Sequence, residues 1–347
     1  MSGLNAGWAG TTVCPVDDAE LSNEEMILAF LAEGGDDYVS GAALSDKLGL
    51  SRTAVWKHVE QLRKMGYRIE AQSARGYRLQ EVPDRLTALE VGPLLATRDL
   101  GRTLHHYESL ESTNAKAFEL AHEGGSHGEV IVTEHQTKGK GRRGRTWVSP
   151  PGKALTMSVI LRPEIAPSRA PELTLVAAVA LAETLRDSGV EATIKWPNDV
   201  QIGGLKVAGI LTELSADVER VHFIVLGVGV NLNVDVAEFP PEIAEIATSV
   251  SAARKSPVHR ALFAAALLAK LEQWLDTWTE EGFEPVRSAW RALASTLGQE
   301  VLVRSEQREL RGVAEDIDST GALLLRVGER IERVLSGDVE QVRTRKS

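Results

Sequence analysis

A loop rich in glycine and cations, set between two apolar stretches, constrains the fold of this chain more than any other feature. From Thr133 to Trp147 the sequence reads T-E-H-Q-T-K-G-K-G-R-R-G-R-T-W. Its glycines let backbone amides turn toward an anion, and its cations supply fixed positive charge. The flanking stretches Glu129–Glu134 and Ala154–Leu161 predict two buried strands. The pattern favours a phosphate-binding loop beside a folded core, with a basic linker or a nucleic-acid patch as the alternative.

The composition is that of a globular protein with more than one domain. A length of 347 residues suggests two or three domains, and 43% hydrophobic with 25% charged residues is ordinary for a soluble chain. No apolar run is long enough for a membrane span, so we expect no membrane partner. The single cysteine, Cys14, excludes an internal disulfide and fits a cytoplasmic location. Residues 1–22 lack the features of a signal peptide and are predicted to be a disordered extension.

Residues 23–82 have the pattern of a winged helix-turn-helix domain. Apolar residues recur at helical spacing in Met26–Leu31, and Leu44 and Leu48 form an i, i+4 pair on a second helix. Gly49 ends that helix, and Ser51 is a suitable N-cap for a third. Two alternating stretches, 67–70 and 76–79, follow and predict a β-hairpin wing.

The third helix and the wing are basic although the whole chain has a net charge of −10. Between residues 51 and 80, seven basic residues against two acidic ones give a local charge of +5. Such a face predicts DNA binding through phosphate contacts and a few base contacts. A small helical protein-interaction module is the alternative, and the Trp56 ring could instead be packed in the core. The predicted DNA-binding residues are Arg52, Thr53, Trp56, Lys57 and Arg75.

The last ninety residues change from a helical to a strand pattern. Helices are predicted over 258–280 and 284–295, where leucines recur on one face. Beyond Leu297 the segments 298–303, 308–316 and 322–327 alternate and are separated by glycine and polar turns. We therefore expect a small β-barrel at the C-terminal end.

Four further motifs accompany the basic loop, and each has an ordinary structural explanation as a cap, a turn or a strand end. They are Glu111–Asn114, Lys195–Asp199, Lys206–Leu211 and Gly227–Asn231. Together and in this order, over residues 24 to 340, they closely resemble biotin protein ligase, also called biotin–acetyl-CoA-carboxylase ligase. The resemblance is to the bifunctional form, which carries a winged helix that binds an operator.

The resemblance implies a fold, an activity and a set of ligands. The fold class would be α+β, with an N-terminal winged helix over 23–82, a mixed-sheet catalytic domain over 83–295 and an SH3-like barrel over 296–347. Biotin and MgATP would give biotinyl-5′-AMP, and a lysine of a biotin carboxyl carrier protein would then take the biotin. The cofactors would be ATP, biotin and Mg2+. Repression of biotin synthesis genes on a palindromic operator would require a homodimer.

The resemblance also assigns roles to single residues. Lys206 and Arg142 would be catalytic, because joining a carboxylate to a phosphate needs cations around the developing charge. The biotin-binding set would be Ser112, Thr113, Asn114, Gln136, Gly139, Lys140, Trp147, Lys206 and Gly209. The nucleotide-binding set would be Arg142, Arg143, Arg145, Asn198 and Asn231. Asp199 either carries Mg2+ or only holds its turn, with the structural role slightly favoured.

One position departs from the family pattern, and two alternative functions remain open. Where the family loop usually begins G-R-G-R, this chain has Lys140, which cannot make the bidentate contacts of an arginine. A biotin-sensing repressor that has lost ligase activity is the first alternative, and the loop cations together with Lys206 argue against it. The second is a ligase whose winged helix is vestigial or binds a different operator.

Overall fold

The computed structural model describes residues 22–305 and 308–342. The predictions for residues 1–21, including the disordered extension and Cys14, lie outside the described residues. The described chain divides into two compact units. The first comprises the described part of Met1–Ala96 together with His259–Ala265, and the second comprises Thr97–Val258 with the described part of Ala266–Ser347. The predicted domain boundaries at 82 and 295 stay predictions.

The first unit begins with three capped helices and a two-stranded hairpin. A capping box between Ser22 and Glu25 starts the first helix, and the hydroxyls of Ser40 and Ser51 cap the other two. Gly49 ends the second helix with a left-handed φ of 65°. The elements are α1 Asn23–Glu33, α2 Gly41–Leu48, α3 Arg52–Lys64, β1 Arg68–Gln72, β2 Gly76–Glu81 and α4 Ala88–Val91, which a short 3-10 helix at Gly92–Leu94 follows.

The predicted winged helix-turn-helix is confirmed. Val55, Val59 and Leu62 line the buried face of α3 and pack in a core with the apolar residues of α1 and α2. The strands β1 and β2 pair antiparallel as a wing. The Trp56 side chain is 51% exposed, so it is not part of that core.

A mixed sheet, which the family resemblance implied, forms the centre of the second unit and has seven strands. The strands run in the order β3-β4-β5-β9-β8-β7-β6, and only β3 and β4 pair in parallel. Every residue of β5 is buried, including the polar Thr156 and Ser158. The strands are β3 Leu104–Tyr107, β4 Val130–Thr133, β5 Ala154–Leu161, β6 Ala192–Lys195, β7 Asp199–Ile202, β8 Leu205–Ala216 and β9 Val221–Asn231.

Helices cover this sheet and connect it to the C-terminal strands. The short helix α5 packs on β4, β5 and β9, and the long, almost wholly buried α6 packs on β6 and β8. The helices are α5 Thr113–His122, α6 Ala170–Asp187, α7 Pro241–Ala244, α8 Val250–Arg254, α9 Arg260–Glu281 and α10 Phe283–Leu293. Short 3-10 helices lie at Arg142–Gly144, Pro167–Arg169 and Val236–Glu238.

The C-terminal strands form an antiparallel five-stranded sheet in the order β13-β12-β11-β10-β14. This agrees with the predicted SH3-like domain and adds two strands to the three that the sequence pattern indicated. The strands are β10 Glu300–Arg304, β11 Glu309–Ile317, β12 Leu323–Val327, β13 Arg330–Val334 and β14 Asp338–Gln341. Among the described residues, no helix has the length and apolar character needed to cross a bilayer.

Candidate active site

A cleft of the second unit collects side chains from the start of α5, the basic loop and the strands β7, β8 and β9. Ten residues singled out from the sequence line it: Ser112, Thr113, Asn114, Gln136, Lys140, Arg142, Trp147, Asn198, Lys206 and Gly209. The lining also includes Gly141, Met157, Ile210, Leu211, Gly227, Val228 and Gly229, which were not predicted as site residues.

A buried polar network holds one wall of this cleft. The Thr113 N–H donates to Gln136 Oε1 at 2.8 Å, and Ser158 Oγ lies 2.8 Å from Thr113 Oγ1 and 2.6 Å from Asn114 Oδ1. Asn114 Nδ2 donates to Glu213 Oε2 at 2.8 Å. Because each polar group has a partner, the N-terminal turn of α5 presents Ser112 and Thr113 in fixed orientations. Sequence reasoning missed Ser158 and Glu213; the signal was a lone serine in the apolar run of β5.

The Trp147 indole packs closely against the backbone of Gly229 on another wall. A Cβ added at Gly229 would be 2.6 Å from Trp147 Cε2, so only glycine permits this approach. The backbone N–H of Trp147 donates to the Gly139 carbonyl at 2.9 Å. Gly139 therefore holds the end of the loop through a backbone hydrogen bond. The indole Nε1 is buried and has no hydrogen-bond partner among the described residues. The ring therefore forms a preformed apolar surface beside the cleft.

Lys206 brings a positive charge to the same place. Its Nζ lies 2.6 Å from Asp199 Oδ1 and 5.9 Å from the centre of the Trp147 ring. A Cβ at Gly209 would be 3.2 Å from Lys206 Nζ, so the glycine leaves room for the ammonium group. The lysine side chain is 35% exposed and can reach a ligand without leaving its strand. The ion pair with Asp199 orients the ammonium group before any ligand binds.

The basic loop sends its arginines in two directions. Arg142 Nη1 donates to Asn198 Oδ1 at 3.0 Å, and burial lowers the pKa of Arg142 although the carboxylates of Asp338 and Asp199 oppose that shift. Arg143 and Arg145 instead bind Asp338 of the C-terminal sheet. The predicted nucleotide-binding set is thus brought together only in part: Arg142 and Asn198 line the cleft, whereas Arg143 and Arg145 point to the barrel.

Asn231 and Asp199, the remaining predicted ligands of the nucleotide and its metal, have structural contacts. Asn231 lies at the end of β9, where its Nδ2 donates to the Thr248 carbonyl at 3.1 Å, and it is not among the cleft-lining residues. The Asp199 carboxylate forms an ion pair with the Lys206 ammonium group. Over residues 22–305 and 308–342, no group of three histidine, cysteine or acidic side chains is arranged to hold a metal ion.

The predicted DNA-binding residues are all exposed on the surface of the first unit. Arg52, Thr53, Trp56 and Lys57 are all exposed on α3, and Arg75 is exposed in the turn of the wing. Arg75 and Arg78 lie over the Tyr38 ring at 4.2 Å and 4.9 Å from its centre. Stacking on the ring limits the motion of these wing arginines.

Three protein-family models match successive parts of the chain. The HTH domain model covers residues 23–78, the biotin/lipoate A/B protein ligase family model covers residues 107–231, and the biotin protein ligase C terminal domain model covers residues 296–341. The matches follow the winged helix, the central sheet and the C-terminal sheet.

Two curated proteins resemble 90% of the chain, and a solved structure resembles a shorter part of it. The bifunctional ligase/repressor BirA of Bacillus subtilis is 39% identical over 315 residues, or 90% of this chain and 97% of that protein. The bifunctional ligase/repressor BirA of Escherichia coli is 32% identical over 90% of this chain and 95% of that protein. The solved structure of biotin protein ligase from Aquifex aeolicus in complex with biotin and ATP is 28% identical, with a TM-score of 0.62, and covers 70% of this chain and 100% of that one.

Proposed function

This chain belongs to the bifunctional biotin ligase and repressor family, and we propose that its cleft performs ligation in two steps. In the first, the biotin carboxylate attacks the α-phosphate of ATP, giving biotinyl-5′-AMP and pyrophosphate. In the second, a lysine amine of a biotin carrier domain attacks the biotinyl carbonyl and AMP leaves. The chain is thus a biotin–[acetyl-CoA-carboxylase] ligase with a DNA-binding domain.

The position of Lys206 carries this proposal. Its ammonium group lies at the cleft between the Trp147 ring and Asp199, on the same cleft as the Arg142 guanidinium. Two anions, a carboxylate and a triphosphate, must approach each other in the first step. A preorganised cation between them stabilises the charge that develops in the transition state. In the second step the same ammonium stabilises the departing phosphate.

The polar wall and the Trp147 indole favour biotin as the carboxylic acid substrate of the first step. The ureido ring of biotin has two N–H donors and one carbonyl acceptor, and the Ser112 and Thr113 hydroxyls with the Gln136 amide supply matching groups. The thioether ring and the aliphatic chain need an apolar surface, which Trp147 offers. We assign Gly139, Lys140, Asn114 and Gly209 to the support of this pocket.

Arg142 and Asn198 mark the phosphate side of the cleft. Mg2+ typically binds through one or two carboxylates plus substrate phosphates, and Asp199 is the acidic residue beside Lys206 that fits this role. Asp199, which already pairs with Lys206, would be the single protein carboxylate available to the Mg2+ ion. ATP and water would supply most of the other ligands of the ion. When bound, it would neutralise phosphate charge. Asn231 contributes by holding the end of β9, and Arg143 and Arg145 by their contacts with the barrel.

Mass spectrometry of a carrier domain tests the ligase function. The carrier is incubated with biotin, ATP and the full chain, with a reaction lacking ATP as the control. We expect the carrier mass to increase by that of one biotinyl group only in the complete reaction. An unchanged carrier mass would instead favour a biotin-sensing repressor without ligase activity.

We propose a second function, repression, from the exposed basic surface of α3 and the wing. Exposed Arg52, Lys57 and Arg75 can contact phosphates, while Thr53 and Trp56 near the start of α3 can contact bases. A homodimer fits a palindromic operator, because each copy would bind one half-site. Since the operator and the carrier protein are both cytoplasmic in this scheme, we assign the chain to the cytoplasm.

A further inference from the structure

The side chain of Asn114 lies across three neighbouring strands of the central sheet. Ser158 on β5 is the register partner of Gly227 on β9, and Gly227 is the register partner of Leu211 on β8. A Cβ added at Gly227 would collide with Asn114 Oδ1, so the amide group occupies the space above this glycine. Asn114 is only 4% exposed. Its amide therefore connects β5 with β8 inside the protein.

The two ends of this amide meet groups of different chemistry. Asn114 Nδ2 lies 2.8 Å from Glu213 Oε2 and 3.2 Å from the Leu211 carbonyl oxygen, and both of these atoms can only accept. At the other end, Asn114 Oδ1 lies 2.6 Å from Ser158 Oγ. If the amide were reversed, its oxygen would face a carboxylate and a carbonyl oxygen. The acceptors on β8 therefore keep Asn114 Oδ1 turned toward Ser158.

This orientation determines where the neighbouring hydroxyl protons lie. Ser158 has one hydroxyl proton and Asn114 Oδ1 has none to give, so Ser158 donates to Asn114. The Ser158 oxygen, which lies 2.8 Å from Thr113 Oγ1, is then an acceptor for the Thr113 hydroxyl. Gln136 Oε1, at 3.2 Å, is a second acceptor for the same Thr113 proton. Thr113 Oγ1 therefore presents lone pairs to the cleft and keeps its proton for the protein.

We propose that Glu213 is a positioning residue, which makes this wall of the cleft an acceptor for an N–H group of a cyclic urea. It acts through a hydrogen-bond chain that runs from Glu213 through Asn114 and Ser158 to Thr113. Among the described residues, Thr113 and Asn114 line the cleft, whereas Glu213 and Ser158 lie behind it. The inference rests on the proposed ligase function, in which biotin supplies the urea.

The affinity of the full chain for biotin, measured by calorimetry without ATP, tests the role of Glu213. In Glu213→Leu the Asn114 amide can reverse, and Ser158 then donates to Thr113 and uses a lone pair that the urea needs. Biotin binding should weaken about tenfold, as for the loss of a hydrogen bond to a charged group, while ATP binding stays unchanged. Glu213→Gln keeps an acceptor oxygen and should retain most of the affinity for biotin. Unchanged biotin binding in Glu213→Leu would overturn the proposal.

A double-mutant cycle separates the hydrogen-bond chain from a general loosening of the sheet. Ser158→Ala interrupts the chain between Asn114 and Thr113. In that background Glu213→Leu should weaken biotin binding no further, because the carboxylate can no longer act on Thr113. If Glu213→Leu caused the same loss with and without Ser158, the two residues would act independently and the chain would be refuted.

Thr212→Val is the matched control on the same strand. Thr212 precedes Glu213 on β8, and its hydroxyl lies 2.8 Å from the Thr174 hydroxyl of α6. Because successive residues of a strand point to opposite faces, this variant breaks a hydrogen bond on the other side of the sheet. It should bind biotin as tightly as the unaltered chain. Equal losses of affinity in Thr212→Val and Glu213→Leu would contradict the proposal.

Hydrogen exchange of the Asn114 side-chain amide, followed by NMR in the ligand-free protein, gives a result that does not depend on biotin. The amide protons should exchange faster in Glu213→Leu and at an unaltered rate in Thr212→Val. Unaltered exchange in Glu213→Leu would show that Glu213 does not hold the amide. If the unaltered chain bound no biotin, the proposed function would fail, whereas the exchange rates would still decide whether Glu213 orients Asn114.

Discussion

At the scale of single residues, the cleft is built by side chains whose partners are far away in sequence. Lys206 and Trp147 were identified from short motifs, but the ion pair of Lys206 with Asp199 was not. Ser158 and Glu213 complete the polar wall without belonging to any motif. Motifs thus identify residues that would touch a ligand, whereas the residues that orient them are found through contacts.

Replacing Lys206 by alanine should remove the main cation at the reacting atoms. We expect the rate of biotinyl-AMP formation to fall by about 100-fold, or ~3 kcal/mol of transition-state stabilisation, similar to the loss of one oxyanion-hole donor. Single-turnover measurement of pyrophosphate release checks this value. Lys270→Ala serves as the control, because Lys270 pairs with Glu183 and Asp187 on helices away from the cleft. Near-normal adenylate formation in Lys206→Ala would remove this residue from the mechanism.

At the scale of elements, exposure separates the two faces of α3. One face of the helix is buried and contains Val55, Val59 and Leu62. The Trp56 side chain is half exposed. Helical periodicity predicted the buried face correctly, because those positions follow one stripe of the helix. It left the role of Trp56 open, since an indole is as common in a core as on a binding surface.

The basic face of α3 and the wing should make operator binding depend steeply on salt. Each lysine or arginine that neutralises a phosphate contributes about 0.9 to the slope of log affinity against log salt. Arg75→Ala should therefore weaken binding and reduce that slope by about one. Arg68→Ala is the control, because Arg68 lies on the same wing but pairs with Glu81 at 2.7 Å. Fluorescence anisotropy at several salt concentrations measures both slopes. A flat response in the unaltered chain would contradict phosphate-driven binding.

At the scale of the whole molecule, the family matches name three parts while the described residues divide into two compact units. The first unit includes His259–Ala265, which lie far along the chain from the winged helix. Within that unit Arg260 is buried and pairs with Asp84 at 3.2 Å. No local pattern in the sequence predicts such an attachment, because it joins residues that are 176 positions apart in the chain.

A buried histidine in this attachment should make the stability of the first unit depend on pH. Neither ring nitrogen of His259 has a hydrogen-bond partner among the described residues, and burial lowers the pKa of His259, with the Arg260 charge acting in the same direction and the carboxylates of Asp84 and Glu90 opposing it. As the pH falls below about 6.5, the unfolded chain takes up a proton that the folded state resists. The free energy of unfolding should therefore decrease in that range.

Hydrogen exchange of α1–α3 against pH measures this effect in the full chain. His259→Leu should make the protection of these helices less dependent on pH between neutral and mildly acidic conditions. His222→Leu is the control, since His222 is a surface histidine of the second unit. If His259→Leu kept the pH dependence of the unaltered chain, another group would be responsible.

The sequence by itself predicted the winged helix and the small C-terminal β domain, because helical stripes, strand alternation and caps depend on local spacing. The mixed sheet and the residues of the cleft were predicted through the resemblance of short motifs to biotin protein ligase. Only the tertiary structure decided which loop arginine reaches the cleft, because Arg142 and Arg143 are neighbours of equal charge that a left-handed turn sends apart. It likewise decided that Asp338 accepts hydrogen bonds from Arg143 and Arg145, which lie 195 and 193 positions away in the chain. These contacts depend on the pairing of β10 with β14.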